Sequence, residues 1–596
     1  MKKNLKQKAR LLAHHLRPAA PALALGTAAV LGGTLLRTLF TQIIRFTVDT
    51  VLMGETEALP AALAGLDVGR LLVLACGLAA LTSLAQFAAG FVQDASLPVG
   101  SERFVKSLRD ALYSHIQRLP YSWHVQNPTG DIIQRCTADV EVVRSFIMDQ
   151  MLELVSTIFL ITVYMAAMLA MDVRMSLVAM AFVPGIVLYS ALFFKKAASR
   201  YTECDEAEGA LSTVVQENLT GVRVVRAFGR ERAELEKFRK KNEHYTNLWL
   251  SLGATLSNFW TLGDLMSMTQ VLGVVVTGVV LCVRGELSLG TYLAFVSYTR
   301  QLTWPVRSLG RVISEMSKAG VSMDRLLYIL ESKEEQPTEN PVPADLHGDI
   351  RFDHVSFAYE QKPVLRDVSF TVRGGGTLGI LGGTGSGKST MALLLARLYD
   401  PDAGSISIGG VDLRRMDAAA LRRGVGVVLQ EPFLFSRTLK ENIAIARADA
   451  SQEEIEQAAE AACLSGAIAE FRDGYDTVVG ERGVTLSGGQ KQRTAIARTL
   501  LTGAPIMVFD DALSAVDAKT DEAIRAHLRE AAGNATLILI AHRVATLMRA
   551  DEIIVLEDGQ IVERGTHEAL MRQGGVYAKT ALAQGAGAGK EATVHG

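Results

Sequence analysis

Charge is scarce in this chain. Only 21 % of its 596 residues are charged, and 61 basic against 63 acidic side chains leave a net charge of −2. That balance excludes a strongly basic nucleic-acid binder. Cysteine is scarcer still: Cys76, Cys136, Cys204, Cys282 and Cys463 stand far apart, without a close pair. Neither a zinc site nor a disulfide framework has the spacing it needs, which fits a reducing compartment. With 49 % hydrophobic residues and a mean hydropathy of +0.21, disorder is excluded as well. The same average is high for a wholly soluble enzyme.

The apolar residues are unevenly placed. Three charge-free runs, Leu71–Val92, Met175–Phe194 and Leu265–Val283, reach the roughly 20 residues a helix needs to cross a bilayer. Pro18–Leu36 and Leu154–Met171 are nearly as clear, and a sixth, Leu287–Thr299, continues past Arg300 as an apolar-rich helix to about Met316. Six spans are therefore expected in residues 1–330, with short turns at Asp172 and Gly285. The long loops, residues 98–150 and 195–247, hold six and eleven Lys/Arg, and the first 17 residues hold six. The bias predicts that both termini and the long loops are cytoplasmic, in a multi-pass protein of the inner (cytoplasmic) membrane. Lys2 to Arg17 reads either as an amphipathic helix on the inner leaflet or as a solvated basic tail.

Charges within spans are costly and often functional. Arg37 and Arg300 both fall near the bilayer centre, with Glu153 and Asp264 as acidic partners for the arginines of these helices. They are the candidate substrate residues, lining a cavity for anionic amphipathic molecules; ion pairing that fixes helix packing is the competing reading. Trp304-Pro305 predicts a kink in the sixth span.

A charged, proline-containing linker over residues 331–344 separates this half from a soluble α/β half, residues 345–596. There Thr377–Leu381 reads as a strand entering Gly382, Gly383, Thr384, Gly385, Ser386, Gly387, Lys388 and Ser389, with a helix beginning around Thr390. This is a G-x-x-x-x-G-K-S phosphate loop with the required flanks. Its glycines let backbone N–H groups curl around phosphates, Lys388 reaches the β/γ-phosphates, and the Ser389 hydroxyl suits Mg²⁺. Leu486, Ser487, Gly488, Gly489 and Gln490 form a second glycine-rich helix start, and Ile506–Asp510 is an apolar strand ending in an acid.

Together with Gln430 and His542, these motifs resemble the ATP-binding cassette (ABC) family throughout residues 345–580, and the six-span half resembles its exporter-type half-transporters. The resemblance implies a helical membrane domain followed by an α/β P-loop NTPase cassette, with ATP and Mg²⁺ as cofactors. It implies that Tyr359 stacks on adenine and that Ser389, Gln430 and Asp510 serve the magnesium ion. It further implies that His542 meets the γ-phosphate, that Asp517 signals across a dimer interface, and that residues 486–490 close over a nucleotide held by another cassette. Thr129–Asp131 and Glu217–Gly221 resemble the family's coupling segments.

One position departs from the pattern. Vigorous ATPases of the family carry glutamate after the Walker B aspartate, and this chain has Asp511. The side chain is one methylene shorter, which withdraws the carboxylate by roughly 1–1.5 Å. A misplacement on that scale costs on the order of 100-fold in rate. The resemblance then implies a heterodimer whose partner supplies the glutamate, favoured over a homodimer tolerating Asp511. The expected activity is ATP-driven export of a lipid, drug or amphipathic small molecule. An exporter-fold importer of metal chelates and an ATP-gated regulator with little hydrolysis are the alternatives.

Overall fold

The computed structural model describes residues 11, 13–54, 67–480, 483, 485–512 and 518–585. The chain divides into two compact units: Met1–Leu119 with Asn127–Lys333, and Pro120–Gln126 with Glu334–Gly596.

The described part of the first unit is helical. Its long elements are α1 (Ala20–Phe46), α2 (Val68–Ile116), α3 (Leu152–Met171), α4 (Val173–Met180), α5 (Val183–Thr220), α6 (Glu231–Val283) and α7 (Leu289–Glu331). Five helical stretches are long and apolar enough to cross a membrane: Ala20–Leu52, Val68–Ile116, Thr129–Met171, Val173–Thr220 and Glu231–Val283. The sixth expected span is present as the 43-residue α7. It falls outside that group because Arg300, Gln301 and the Ser, Thr and Tyr residues around them dilute its apolar residues.

Two local features follow from single residues. Asp172 breaks the chain between α3 and α4 by accepting the Met175 N–H at 2.9 Å, and so caps α4. The fourth span, expected to be unbroken, is interrupted at residues 181–182, and α5 begins with Pro184 in its first turn. Proline there lacks the N–H that would continue the ladder backwards. Pro305, by contrast, is carried inside α7 without ending it.

Several buried polar side chains between these helices pair with one another, as a low-dielectric interior favours, although the Ser190 and Ser267 hydroxyls find no partner among the described residues. The Gln42 amide donates to the Tyr298 hydroxyl at 2.9 Å, which donates to the Thr38 carbonyl at 3.1 Å. Tyr164 donates to Gln301 at 2.7 Å. Leucines, valines and phenylalanines such as Leu84, Phe91, Leu272 and Val276 stay exposed on the outside of the bundle, the pattern of a lipid-facing surface.

The second unit holds the strands. One sheet is antiparallel, ordered β2 (Lys362–Val372), β1 (Ile350–Tyr359), β4 (Ala403–Ile408), β5 (Val411–Asp412). The other is ordered β10 (Gln560–Gly565), β9 (Glu552–Glu557), β3 (Thr377–Gly382), β8 (Thr536–Ala541), β7 (Ile506–Asp510), β6 (Val425–Val428). Its five strands from β9 to β6 are mutually parallel. Both faces of that sheet are covered, so β7 and β8 are buried at every position and read as unbroken apolar runs. Met507 and Phe509 point into one core, Ile506 and Val508 into the other, the period of two that a strand imposes.

Tyr121–Gln126 is a short helix belonging to this second unit, where the Tyr121 ring meets Tyr399 edge-on at 5.5 Å. Thr129–Asp131, the segment that resembles a coupling segment, lies in the first unit.

Candidate functional site

The phosphate loop joins β3 to α8 (Lys388–Leu395), at the carboxyl end of a central parallel strand, where open α/β sheets bind ligands. Gly385 and Gly387 hold φ angles of 83° and 100°, the left-handed region open to glycine. A Cβ at Gly383 or Gly385 would meet nothing within 4 Å, whereas one at Gly387 would strike Leu365 at 2.6 Å. The loop is therefore wedged against the fold on one side and open on the other, with room for phosphate. Lys388 is 6 % exposed, and its ammonium donates to the Gly382 and Gly383 carbonyls at 2.9 and 2.6 Å. Burial pushes its pKa down, opposed by the charges of Asp510 and Asp511.

Asp510 ends the buried strand β7 and is itself 4 % exposed. Burial pushes its carboxyl up, opposed by a hydrogen bond from Ser389 and by the Lys388 charge. This places two of the three expected magnesium-site residues in contact. An all-oxygen set with one carboxylate and a hydroxyl suits Mg²⁺, which takes few protein ligands and completes its shell with phosphate and water. The third, Gln430, is exposed in the loop that follows β6. No group of three or more His, Cys, Asp or Glu side chains forms a self-sufficient metal site among the described residues.

Asp511 follows in a left-handed conformation, φ 46°, its N–H donating to the Ile540 carbonyl at 2.9 Å. Aspartate tolerates that region better than most residues. His542, half-buried, follows β8, and its carbonyl accepts the Gln584 amide at 2.8 Å. Gln584 also accepts the Val544 N–H at 2.8 Å, pinning both sides of the His542 turn. Tyr359 closes β1, its ring edge-on to Phe357 and Tyr399 and its hydroxyl 3.3 Å from Thr390. Asp517 lies outside the described residues.

The second glycine-rich motif caps α10 (Gly488–Leu501), against which α9 (Gln452–Ala461) packs. Ser487 accepts the Gln490 N–H at 3.3 Å and Gln490 accepts the Ser487 N–H at 2.8 Å, a complete capping box. Leu486 is buried while Ser487 and Gly488 are exposed. Helix α10 packs against β6, three strands from β3 in the sheet. At about 4.8 Å per strand this is a separation of roughly 14 Å.

Sequence reasoning missed Gln584 and Arg498. Arg498, on α10, donates to the Phe433 carbonyl at 3.1 Å and the Asn442 carbonyl at 2.9 Å. It so ties the helix to the loop that begins at Gln430. A lone arginine following Ala495-Ile496-Ala497 on a buried helix face was the available signal.

In the membrane unit, a cavity of about 490 Å³ opens between α1, α2, α3 and α7. Arg37, Gln86, Phe87, Gln93, Glu153 and Trp304 contribute to its wall. Arg300 is exposed but does not line it. The two acids pair elsewhere than with the candidate substrate arginines: Asp264 binds Arg307 and Glu153 binds Arg311, each at 2.5 Å. Arg307 and Arg311 lie about two and three helical turns beyond Arg300 on α7, and their acids come from α6 and α3.

Comparison with known proteins agrees with this organisation. Residues 23–306 match the family described as ABC transporter transmembrane region, and residues 365–514 the family described as ABC transporter. The chain is 37 % identical over 551 residues to the ABC transporter ATP-binding protein YknU of Bacillus subtilis, covering 92 % of each. It is 37 % identical to a probable multidrug resistance ABC transporter ATP-binding/permease protein, YheI, of the same species, covering 80 % of this chain and 82 % of YheI. A solved bacterial Atm1-family ABC exporter with ATP bound superposes with a TM-score of 0.79 at 27 % identity, covering 96 % of this chain and 99 % of that one.

Proposed function

The chain belongs to the ABC transporter family as an exporter-type half-transporter, and from that premise we propose that it is the slow-site half of a heterodimeric exporter of amphipathic small molecules. Half-transporters of this kind act as dimers in the membrane, and their cassettes couple ATP hydrolysis to transport. The observation that carries the proposal is the pairing, in one cassette, of Asp511 with a complete capping box at Ser487 and Gln490.

Each residue then has a task. The open face of the loop from Gly382 to Gly387 takes the β- and γ-phosphates, and Lys388 turns from its own carbonyls to them. Ser389, Asp510 and Gln430 hold a magnesium ion, which neutralises phosphate charge when bound. His542, fixed by Gln584, faces the γ-phosphate. Asp511 holds the water too far back for rapid attack, so this site binds ATP and hydrolyses it slowly. The N-terminus of α10, with exposed Ser487 and Gly488, meets the γ-phosphate in the partner's site, where a glutamate completes the reaction. The termini and long loops face the cytoplasm, in the cytoplasmic membrane. The name of the relative YheI supports drug-like cargo, and the wall of the 490 Å³ cavity supports an amphipathic one.

Inside-out vesicles containing the chain with its partner, and with the chain alone, test the reading. ATP-dependent accumulation of an amphipathic dye is expected for the pair only. ATP-dependent efflux from the vesicles would reverse the assigned direction.

A further inference from the structure

The membrane unit contains an aromatic and cationic cluster that the nucleotide chemistry does not use. Arg307 is 5 % exposed, ion-paired to Asp264 at 2.5 Å, and lies 4.9 Å from the centre of the Trp260 ring. Trp260 stacks on Trp304, with centroids 5.5 Å apart and planes only 8° from parallel. Two indoles are thus held in a fixed plane by a residue that cannot easily move. Trp304 nevertheless stays 61 % exposed, and it lines the 490 Å³ cavity together with Arg37 and Phe87.

The charges around that cavity do not cancel. Glu153 is neutralised by Arg311, and Asp264 by Arg307. Arg37 is exposed on the wall, and while its carbonyl accepts the Thr41 hydroxyl at 3.2 Å, its guanidinium makes no hydrogen bond or ion pair with any described residue. An unpaired guanidinium at membrane depth is costly, which points to function. The volume lies within the roughly 300–1,000 Å³ of small-molecule sites.

We propose that this cavity binds planar aromatic anions, the ring stacking on Trp304 and the anionic group meeting Arg37. The proposal rests on the exporter reading and narrows its substrate class. Arg300, outside the wall, takes no part. Stacking supplies selection for a flat ring over an aliphatic chain, and Arg37 supplies selection for an anion over its neutral analogue.

The test uses the full-length protein in lipid nanodiscs, with empty nanodiscs as blank and three probes: 1-pyrenesulfonate, 1-pyrenemethanol and 1-octanesulfonate. Saturable binding is expected for 1-pyrenesulfonate and not for 1-octanesulfonate. Arg37→Gln should weaken 1-pyrenesulfonate about three- to tenfold without affecting 1-pyrenemethanol, and Arg37→Lys should retain most of the affinity. Trp304→Leu should weaken both pyrene probes by a similar ~3–10-fold factor, and Trp304→Phe should restore most of it. Undiminished affinity in both Arg37→Gln and Trp304→Leu, or equal binding of 1-octanesulfonate, would overturn the proposal. The Arg37→Lys and Trp304→Phe variants separate a lost contact from a lost fold. Vesicle transport of another dye without pyrenesulfonate binding refutes only the substrate class; binding without ATP-driven transport refutes only the exporter reading.

Discussion

The carboxylate of Asp49 accepts the backbone N–H of Gly290 at 2.6 Å. It also accepts the Ser288 hydroxyl at 2.8 Å, while Arg45 approaches at 3.8 Å. Asp49 is 9 % exposed and lies 241 residues from Gly290. It closes the first turn of α7, where helical N–H groups have no partner of their own, and so fastens the end of the first span to the start of the sixth. Asp49→Ala should destabilise the protein by about 1–3 kcal/mol, because the α7 amide is left buried and unpaired. Thermal unfolding of the detergent-solubilised protein reads this, and Asp49→Asn should recover part of the loss through its remaining carbonyl oxygen.

Arg307 offers a second packing test. Asp264→Asn removes the charge partner of the Arg307 guanidinium, which also meets the Trp260 carbonyl at 3.4 Å and two aromatic faces. The expected cost is roughly 1–3 kcal/mol, reduced from that of a fully buried pair because the Asp264 side chain is 64 % exposed. Adding Arg307→Met to Asp264→Asn should return most of the stability, since an apolar chain in that place needs no partner. A double variant no more stable than Asp264→Asn alone would contradict this view of the pair.

The cassette has a pH-sensitive contact at the hairpin of β1 and β2. His354 Nδ1 lies 2.6 Å from Asp367 Oδ1, and that hydrogen bond raises the His354 pKa above 6.5. A raised folded-state pKa means the protonated ring is favoured by folding. Its contribution is complete below pH 6.5 and is lost as pH rises through the folded value. The pair is fully exposed, so the effect should be small: the thermal midpoint shifts slightly between pH 6 and 8, and His354→Gln removes the shift.

How much of this was legible in the sequence differs between the halves. The phosphate loop was readable because β3 and α8 are local, and their glycines and lysine have fixed spacing. The strand β7 was readable because burial on both faces removes every polar residue before Asp510. The membrane helices, α7 included, were readable from length and hydropathy; what was not readable is that Arg307 and Arg311 on α7 meet Asp264 and Glu153 on other helices. Those pairings join residues 43 and 158 positions apart. No local pattern announces such contacts, so the sequence names Glu153 and Asp264 as acids for the arginines of these helices without saying which acid meets which arginine. The break before α5 was foreshadowed by Pro184 alone. Gln584 escaped notice because its role depends on where the C-terminal helix docks.

The central claim concerns one methylene at position 511. Its backbone is fixed by the bond to Ile540 and by Asp510 before it, so side-chain reach alone separates Asp511 from glutamate. The most direct measurement is single-turnover ATP hydrolysis by the purified chain without a partner, compared with its Asp511→Glu variant. The account predicts tight ATP binding by both, slow hydrolysis by the native chain, and an increase of about 10- to 100-fold in the variant. Rapid hydrolysis by the native chain alone, unchanged or slowed by Asp511→Glu, would contradict it.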